Sequence, residues 1–176
     1  NGDWLVALTG HLGRTDRKQL RSRERSLALS GYKETDAGFW VRPANLARGL
    51  EDHRADLIGI GADDAISLLR VSDRALPEGG HWESLWSTDE LARTYAEAND
   101  AMMKSLERLA SLPCDQAARE SLLIGQAVIR TINFDPLLPP ELGNQDAFLR
   151  MVETMVHYNN VGRKCWQAYY TAMDGA

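Results

Sequence analysis

Hydrophobic and polar positions change their spacing several times within the first 72 residues, and each change marks a predicted element. Short runs of β-branched and aromatic residues predict strands, whereas apolar positions three and four residues apart predict helices. The predicted elements are a strand over 3–10, a helix over 14–30, a hairpin over 32–43 with its turn at 36–38, a helix from Ala44 or Asn45, and a strand over 65–72. This β-α-β-β-α-β order predicts a ferredoxin-like α+β domain, in which two helices cover one face of a four-stranded antiparallel sheet.

The second half of the chain has a helical pattern almost throughout. It follows a predicted linker over 75–81, which is rich in proline and glycine. The predicted helices run from Ser87 or Thr88 to just before Pro113, from about Ala117 to Ile132, and through a last segment that contains Phe148 and Tyr169. We therefore predict two domains, a ferredoxin-like domain over 1–76 and an all-helical domain over 77–176.

The stretch INFDPLLPPELGNQD (132–146) interrupts this helical half. Its prolines cannot continue a helix, because each lacks an amide proton and restricts the residue before it to extended geometry. The stretch is therefore predicted to be a rigid, hydrophobic connector.

The chain has a formal net charge of −5, which argues against a surface that binds nucleic acid throughout. One segment, RTDRKQLRSRER (14–25), is strongly basic. Its residues Arg14, Lys18, Arg21 and Arg25 follow a 4-3-4 spacing that places them on one helix face. Because guanidinium groups match phosphate oxygens, the face is either a contact for DNA or a nucleotide-bearing ligand, or the solvated side of an amphipathic helix.

Residue types that carry enzymatic or metal chemistry do not form recognisable patterns. Cys114 and Cys165 show no metal-type pairing and are predicted to be free thiols of an intracellular protein, and no two histidines have metal-ligand spacing. No GxSxG motif is present, and the first strand ends without the aspartate of ferredoxin-like metal-dependent nucleases. The adjacent carboxylates Asp63 and Asp64 are predicted to lie on the surface. We therefore predict no enzyme, no catalytic residue, no metal and no cofactor.

Tryptophans beside an arginine indicate where a small molecule would bind. Trp40 stands two residues before Arg42 in the predicted hairpin, and Trp82 lies at the entry to the helical half. Tryptophans usually fill cores or interfaces, but a cleft that combines them with an arginine would suit an aromatic or acyl ligand.

Several motifs, in this order, resemble one protein family. They are a WLV strand, a helix with KQLR, the hairpin GYKETDAGFWVRP, WESLW at the entry to the helices, and IRTINFDPLLPPEL (129–142). Together they resemble the PaaX-type transcriptional regulators, the repressors of phenylacetate catabolism and their relatives. The most specific part is R-x-x-x-x-D-P-L-L-P-x-E-L, from Arg130 to Leu142, and the resemblance covers nearly the whole chain.

The resemblance implies a bacterial, cytoplasmic regulator with a winged helix-turn-helix, a central ferredoxin-like domain and a C-terminal helical domain. Members act as homodimers and leave operator DNA when a CoA thioester, typically phenylacetyl-CoA, binds. This chain begins at the central domain, so operator binding is expected only through a winged domain upstream of it. The chain itself is expected to bind an acyl-CoA or aromatic effector and to dimerise. No apolar run approaches the roughly 18 residues of a membrane span, so no membrane partner is predicted.

The resemblance also directs the site predictions. The candidate effector-binding residues are Arg14, Lys18, Arg21 and Arg42 for an anionic group, and Trp40 and Trp82 for an acyl group. The motif residues expected to have an architectural role are Arg130, Asp135, Pro136, Leu138 and Pro139. In that role the connector would bury Leu137 and Leu138, and Asp135 would turn the chain and pair with Arg130.

Two alternatives from other functional classes stay open. The first is a metal-dependent, nuclease-like enzyme built on the first half of the chain. The second is a protein-interaction module that dimerises and binds no small molecule.

Overall fold

The computed structural model describes residues 2–36, 38–76 and 80–174. The chain divides into two compact units. The sheet unit comprises Asn1–Ser87 and Phe134–Gly143, and the helical unit comprises Thr88–Asn133 and Asn144–Ala176. The predicted hairpin turn over 36–38 includes residue 37, and the predicted linker over 75–81, with the domain boundary after residue 76, includes residues 77–79. Residues 37 and 77–79 lie outside the described residues.

The sheet unit contains one four-stranded antiparallel sheet. Its strands are β1 (Trp4–Leu8), β2 (Lys33–Asp36), β3 (Phe39–Pro43) and β4 (Ser67–Val71), in the order β2-β3-β1-β4. Two helices, α1 (Arg17–Leu29) and α2 (Leu50–Gly59), connect them. In the central strand, Val6 pairs with Val41 on one side and with Leu69 on the other. The predicted strands and helices of this unit are therefore present, but α2 begins at Leu50, five or six residues later than predicted.

Each face of the sheet carries a buried apolar core. Alternate residues of a strand point to opposite faces, so Leu5 and Ala7 pack with the helices, in a core that also contains Leu27, Tyr32, Trp40, Leu57 and Ile66. Trp4 and Val6 point the other way and form a second core with Val41, Trp82 and Trp86. A 3-10 helix over Trp82–Leu85 covers this second face, and Leu138 and Leu142 of the proline-rich connector pack against it.

The fold-class prediction therefore has to be corrected. A ferredoxin-like domain with helices on one face, followed by an all-helical domain, does not describe the structure. It is a mixed α/β fold with one antiparallel sheet in the order β2-β3-β1-β4 and, among the described residues, five α-helices that are mostly C-terminal. Residues 134–143, from the half predicted to be helical, belong to the sheet unit. The prediction failed because it did not account for the cover that apolar residues on the second sheet face require.

Helix α1 begins three residues later than predicted. The side chain of Asp16 accepts hydrogen bonds from the amides of Lys18 and Gln19, which makes Asp16 the N-cap. Gly31 follows the helix with a φ of +77°, a conformation that glycine adopts without a Cβ penalty. The basic face of α1 therefore includes Lys18, Arg21 and Arg25, whereas Arg14 lies before the helix.

The helical unit contains α3 (Thr88–Leu109), α4 (Cys114–Asn133) and α5 (Gln145–Asp174). Its apolar core centres on Met102, Val128 and Met151. Inside it, the hydroxyl groups of Ser105 and Tyr158 lie 2.8 Å apart, and Ser105 also donates to Glu120. None of the described helices is long and apolar enough to span a lipid bilayer.

Candidate functional site

A cavity of about 470 Å³ opens at one edge of the sheet unit. Its lining comes from the start of β1 (Gly2, Asp3, Trp4), the end of β3 with the adjoining loop (Pro43, Ala44, Asn45), Arg74 after β4, Glu83 of the 3-10 helix, and Pro139, Glu141 and Leu142 of the connector. Five stretches of the chain, from Gly2 to Leu142, thus meet there. The volume falls within the range of small-molecule sites in proteins.

Arg74 is the positively charged residue of this wall. Its guanidinium carbon lies 4.9 Å from the ring centroid of Trp4 and 5.1 Å from that of Trp82. One of its nitrogens also pairs with a carboxylate oxygen of Glu83. Two cation–π contacts and an ion pair hold the group in place. An arginine has five N–H donors, and the described residues provide an acceptor for the Nη2 of Arg74 alone, so its Nε and Nη1 donors are available to a ligand.

The other charged residues of the lining are acidic. Asp3, Glu83 and Glu141 carry three negative charges against the single positive charge of Arg74. Asp3 lies 3.8 Å from Arg70, in a partly exposed ion pair that lies beside the cavity. A polyphosphate group would meet a net negative wall here, whereas an uncharged or singly charged group could use Arg74.

The proline-rich connector is fixed to the sheet unit at defined points. The side-chain amide of Asn45 donates to the carbonyl oxygen of Leu137 at 2.6 Å, and the Asp135 carboxylate accepts from the Leu137 amide at 2.8 Å. Pro136 lies directly against Gly31. The connector therefore forms a wall of the cavity, joined to Asn45 by one hydrogen bond and turned at Asp135 by another within itself.

Leu137 has an unusual backbone conformation. Its φ is +48°, in the left-handed region that disfavours residues with a Cβ, and its side chain is 46% exposed. Such strain costs about 1–3 kcal/mol and tends to occur at ligand sites and switch regions. The expectation that the connector buries both leucines is therefore wrong for Leu137, while Leu138 packs against the second core.

The predicted basic residues do not reach this cavity. Arg14, Lys18 and Arg21 are exposed, and Lys18 and Arg21 lie on α1, which packs on the first face of the sheet. Trp82 belongs to the core of the second face. One ligand cannot contact the basic stripe and the ring of Trp82 together without passing through the sheet.

Trp40 and Arg42 are buried on the helix-covered side and do not line the cavity. Arg42 is 2% exposed and donates to the carbonyl oxygens of Ser30 and Pro43 and to the Oδ1 of Asn45, all of them uncharged acceptors. Burial lowers the pKa of its guanidinium. Because Asn45 also bonds the connector, Arg42 positions a cavity residue without facing a ligand itself.

A second titratable pair lies beside Arg42. The His53 Nε2 and the Tyr32 hydroxyl are 3.1 Å apart, and their rings stack with centroids 5.8 Å apart. Burial, followed by the nearby charges of Arg42 and Arg48, lowers the pKa of His53 to about 4. Burial likewise raises the pKa of Tyr32 above its ordinary value. Both side chains are therefore neutral near pH 7 and act as a packed, hydrogen-bonded pair.

The motif residues have different surroundings. Asp135 is buried, Pro136 contacts Gly31, Leu138 packs on the second core and Pro139 lines the cavity. Arg130 is exposed on α4, in the other unit, so its pairing with Asp135 stays a prediction. No group of histidine, cysteine and acidic side chains suited to a metal ion occurs among residues 2–36, 38–76 and 80–174.

Sequence reasoning missed Arg74, Trp4 and Asn45 as cavity residues. Trp4 looked like an ordinary strand residue, and Arg74 lies in a short polar stretch before the predicted linker. A weak signal was available, because Trp4 alternates with Leu5 and so belongs to the face that the helices leave uncovered.

Comparison with known proteins shows a similar fold but no matching family. No protein-family model matches the chain, and no curated protein matches it either. The structure is similar to that of the uncharacterized protein Rv0674 from Mycobacterium tuberculosis, with a TM-score of 0.59 and 18% sequence identity. The match covers 94% of this chain and 64% of that chain, so this chain spans less than two thirds of its neighbour. At this identity the likeness shows the fold alone.

Proposed function

We propose that this chain is the effector-binding and dimerising portion of a PaaX-like bacterial transcriptional repressor that works in the cytoplasm. The effector is an aryl-acyl-CoA or a related aromatic metabolite, and its acyl end enters the cavity beside Arg74. Operator DNA is bound through a winged helix-turn-helix domain upstream of this chain. In this proposal the chain has no catalytic residues.

One observation carries the proposal. The segment with the most specific part of the family resemblance, Arg130 to Leu142, is also the segment whose residues Pro139, Glu141 and Leu142 form a wall of the cavity. An effector in the cavity would therefore contact the family motif directly. It would also contact Asn45, which holds the motif through the carbonyl oxygen of Leu137.

The chemistry of the lining favours the acyl end of the effector over its nucleotide end. The free donors of Arg74 suit the carbonyl oxygen of a thioester or an amide, and Trp4 and Leu142 contribute apolar groups to the lining. The carboxylates of Asp3 and Glu141 would repel phosphates, so the phosphates of a CoA thioester stay outside the cavity.

Binding of the effector would change the protein through the connector. It joins α4 to α5, and its strained Leu137 is kept in place by Asn45 and Asp135. A ligand that binds better when the connector is docked shifts the population toward that state. In the whole repressor, a change in the dimer would alter the half-site spacing that operator binding needs.

A thermal-shift series tests the proposal. The ligands are phenylacetyl-CoA, aliphatic acyl-CoAs, free CoA and free phenylacetate, each added to this chain. A ligand selective for the folded state adds about 2.7 kcal/mol at a hundredfold excess over its Kd. We expect a shift with the aryl-acyl thioester and little shift with free CoA. The absence of a shift with every ligand would contradict the proposed effector class.

Variants of this chain, compared in the same thermal-shift series, test whether the thioester binds in the cavity. Arg74→Met removes the free donors and should abolish most of the shift, whereas Arg93→Met removes an exposed arginine of α3 and should leave it unchanged. Equal shifts in both variants would show that the thioester binds elsewhere. Lys18→Met and Arg21→Met, compared in the same series, show whether the basic face of α1 contacts the nucleotide end.

A further inference from the structure

Helix α5 carries two adjacent stripes, each with alternating spacings of three and four residues. The inner stripe consists of Phe148, Met151, Met155, Tyr158, Gly162, Cys165 and Tyr169. Its residues are buried or half-buried, and most of them form the core of the helical unit with α3 and α4. The outer stripe consists of Leu149, Val152, Val156, Asn159, Arg163, Trp166, Tyr170 and Met173. This second spacing is the pattern of a helix that pairs with another helix.

The outer stripe is apolar but largely uncovered. Six of its eight residues are apolar or aromatic, and Val156, Tyr170 and Met173 are 59%, 57% and 58% exposed. Single exposed apolar residues are common on protein surfaces, whereas a row along seven turns, interrupted at Asn159 and Arg163, indicates an interaction site. The row is therefore a candidate surface for packing against another helix.

The order of residues within the outer stripe is symmetric about position 161. Leu149 and Met173 are equally far from it, as are Val152 and Tyr170, Val156 and Trp166, and Asn159 and Arg163. In an antiparallel pair of identical helices centred there, each apolar residue meets an apolar residue. Asn159 then meets Arg163 of the second copy, so the amide oxygen can accept from the guanidinium and no like charges face each other.

Helix α4 widens this face. A groove of about 140 Å³ runs between Leu122, Gln126 and Ile129 of α4 and Asn159, Arg163 and Trp166 of α5. Leu122 and Ile129 are 42% and 46% exposed. The two helices approach closely, because a Cβ on Gly162 would lie 3.2 Å from the Cβ of Ser121. Because Ser121 contacts Gly162, its neighbour Leu122 lies beside the middle of the outer stripe, near position 161.

The face is large enough for a stable dimer. From Leu149 to Met173 it is about 36 Å long at 1.5 Å per residue, and two packed helices are about 20 Å wide. Two such faces bury about 1,400 Å² together, within the range of standard protein–protein interfaces.

We infer that the α4–α5 face binds the same face of a second copy of this chain, with the two α5 helices antiparallel and centred near Val161. Asn159 and Arg163 at the middle fix the register, since a polar pair at one level of an apolar stripe disfavours shifted pairings. This inference deepens the proposed function by assigning the surface of its homodimer.

Sedimentation velocity over a dilution series tests the inference. The unchanged chain should be a dimer that dissociates on dilution. Val156→Lys places a charge in the centre of one half of the stripe and should weaken the dimer at least about thirtyfold. Met103→Lys is the matched control, because Met103 is 47% exposed on α3 and away from the face, and it should leave the dimer unchanged. Far-UV circular dichroism shows that both variants keep their helices.

Substitutions at Asn159 test the antiparallel register. Asn159→Glu faces Arg163 of the second copy and should tighten the dimer about threefold to tenfold, whereas Asn159→Lys should weaken it by a similar factor. In a parallel pair, residue 159 would face its own copy, and Asn159→Glu would weaken the dimer. A chain that is monomeric throughout, or equal dimers for Val156→Lys and Met103→Lys, overturns the inference. The effector cavity lies in the sheet unit and the proposed dimer face in the helical unit, so the ligand-induced thermal shift can fail or succeed independently of these results.

Discussion

A Cβ atom on Gly31 would lie 2.7 Å from the carbonyl oxygen of Pro136. That distance is too short for any side chain, and the obstacle is backbone, which cannot rotate away. Gly31 also has a φ of +77°. Glycine is therefore required here for two independent reasons, to end α1 in the left-handed conformation and to let the proline-rich connector dock on the sheet unit.

Gly31→Ala should consequently destabilise the protein by about 2–4 kcal/mol, because it combines left-handed strain with a backbone clash. Urea unfolding measures the loss, and limited proteolysis within 134–143 shows whether the connector is released. The control is Gly59→Ala at the end of α2, where a Cβ meets nothing within 4 Å. That variant should be neutral or slightly stabilising. Equal losses in the two variants would contradict the docking role of Gly31.

The ion pair between Arg23 and Asp63 should be worth far more than a surface pair. Arg23 is 3% exposed, its Nε lies 2.6 Å from an Asp63 carboxylate oxygen, and its Nη2 donates to the carbonyl oxygen of Gly13. The hydrogen bond from Arg23 holds the pKa of Asp63 below its ordinary value. Arg23→Met should cost about 2–4 kcal/mol in urea unfolding, because it removes the partner of a mostly buried carboxylate.

The comparison for that prediction is the exposed pair of Arg48 and Asp56, whose side chains are 57% and 52% exposed. Arg48→Met should change stability by less than about 1 kcal/mol, since water screens such a pair. The Arg23 contribution should also fall as pH is lowered through the folded-state pKa of Asp63, because protonation removes the carboxylate charge. A loss for Arg23→Met as small as that for Arg48→Met would rule out a structural role for the buried pair.

The buried His53 should make folding sensitive to mild acid. Its pKa is about 4 in the folded protein and about 6.5 in an unfolded chain, so between these values the unfolded state binds more protons. Stability should therefore fall as pH drops from about 6.5 to 4, by about 1–3 kcal/mol from this group. His53→Gln should reduce the pH dependence of urea unfolding across that window. His157→Gln, at an exposed position of α5, should keep the wild-type dependence.

The buried hydroxyl pair of the helical unit should show energetic coupling. Ser105 and Tyr158 are both fully buried, with their oxygens 2.8 Å apart. Ser105→Ala and Tyr158→Phe should each cost about 1–2 kcal/mol, and the double variant should cost less than their sum by about 1 kcal/mol. A double-mutant cycle in urea measures this difference. Additive losses would show that the two hydroxyl groups do not stabilise each other.

The element pattern was predictable because it depends on local rules. A short apolar run of aromatic, β-branched and leucine residues placed β1 within 3–10, and the prolines after Asp135 excluded a helix whatever surrounded them. The start of α1 was predicted too early, since Arg14 fits the helical spacing while the Asp16 cap sets the first turn. Asp63, expected on the surface, pairs with Arg23 from forty residues earlier. No local sequence pattern predicts an ion-pair partner so far away along the chain.

The sequence by itself determined which segments are strands and helices, the non-helical connector, and the second apolar stripe of α5, because each depends on the spacing of residues along one element. Only the tertiary structure decided that the connector covers the sheet and that Trp4, Asn45, Arg74 and Pro139 meet at one cavity. It also decided that Trp40 and Arg42 are buried on the opposite side of the sheet from Trp82. The physical reason is that a cavity forms where several distant segments pack together, and their meeting depends on which apolar faces must be covered, a requirement of the whole chain that no single segment encodes.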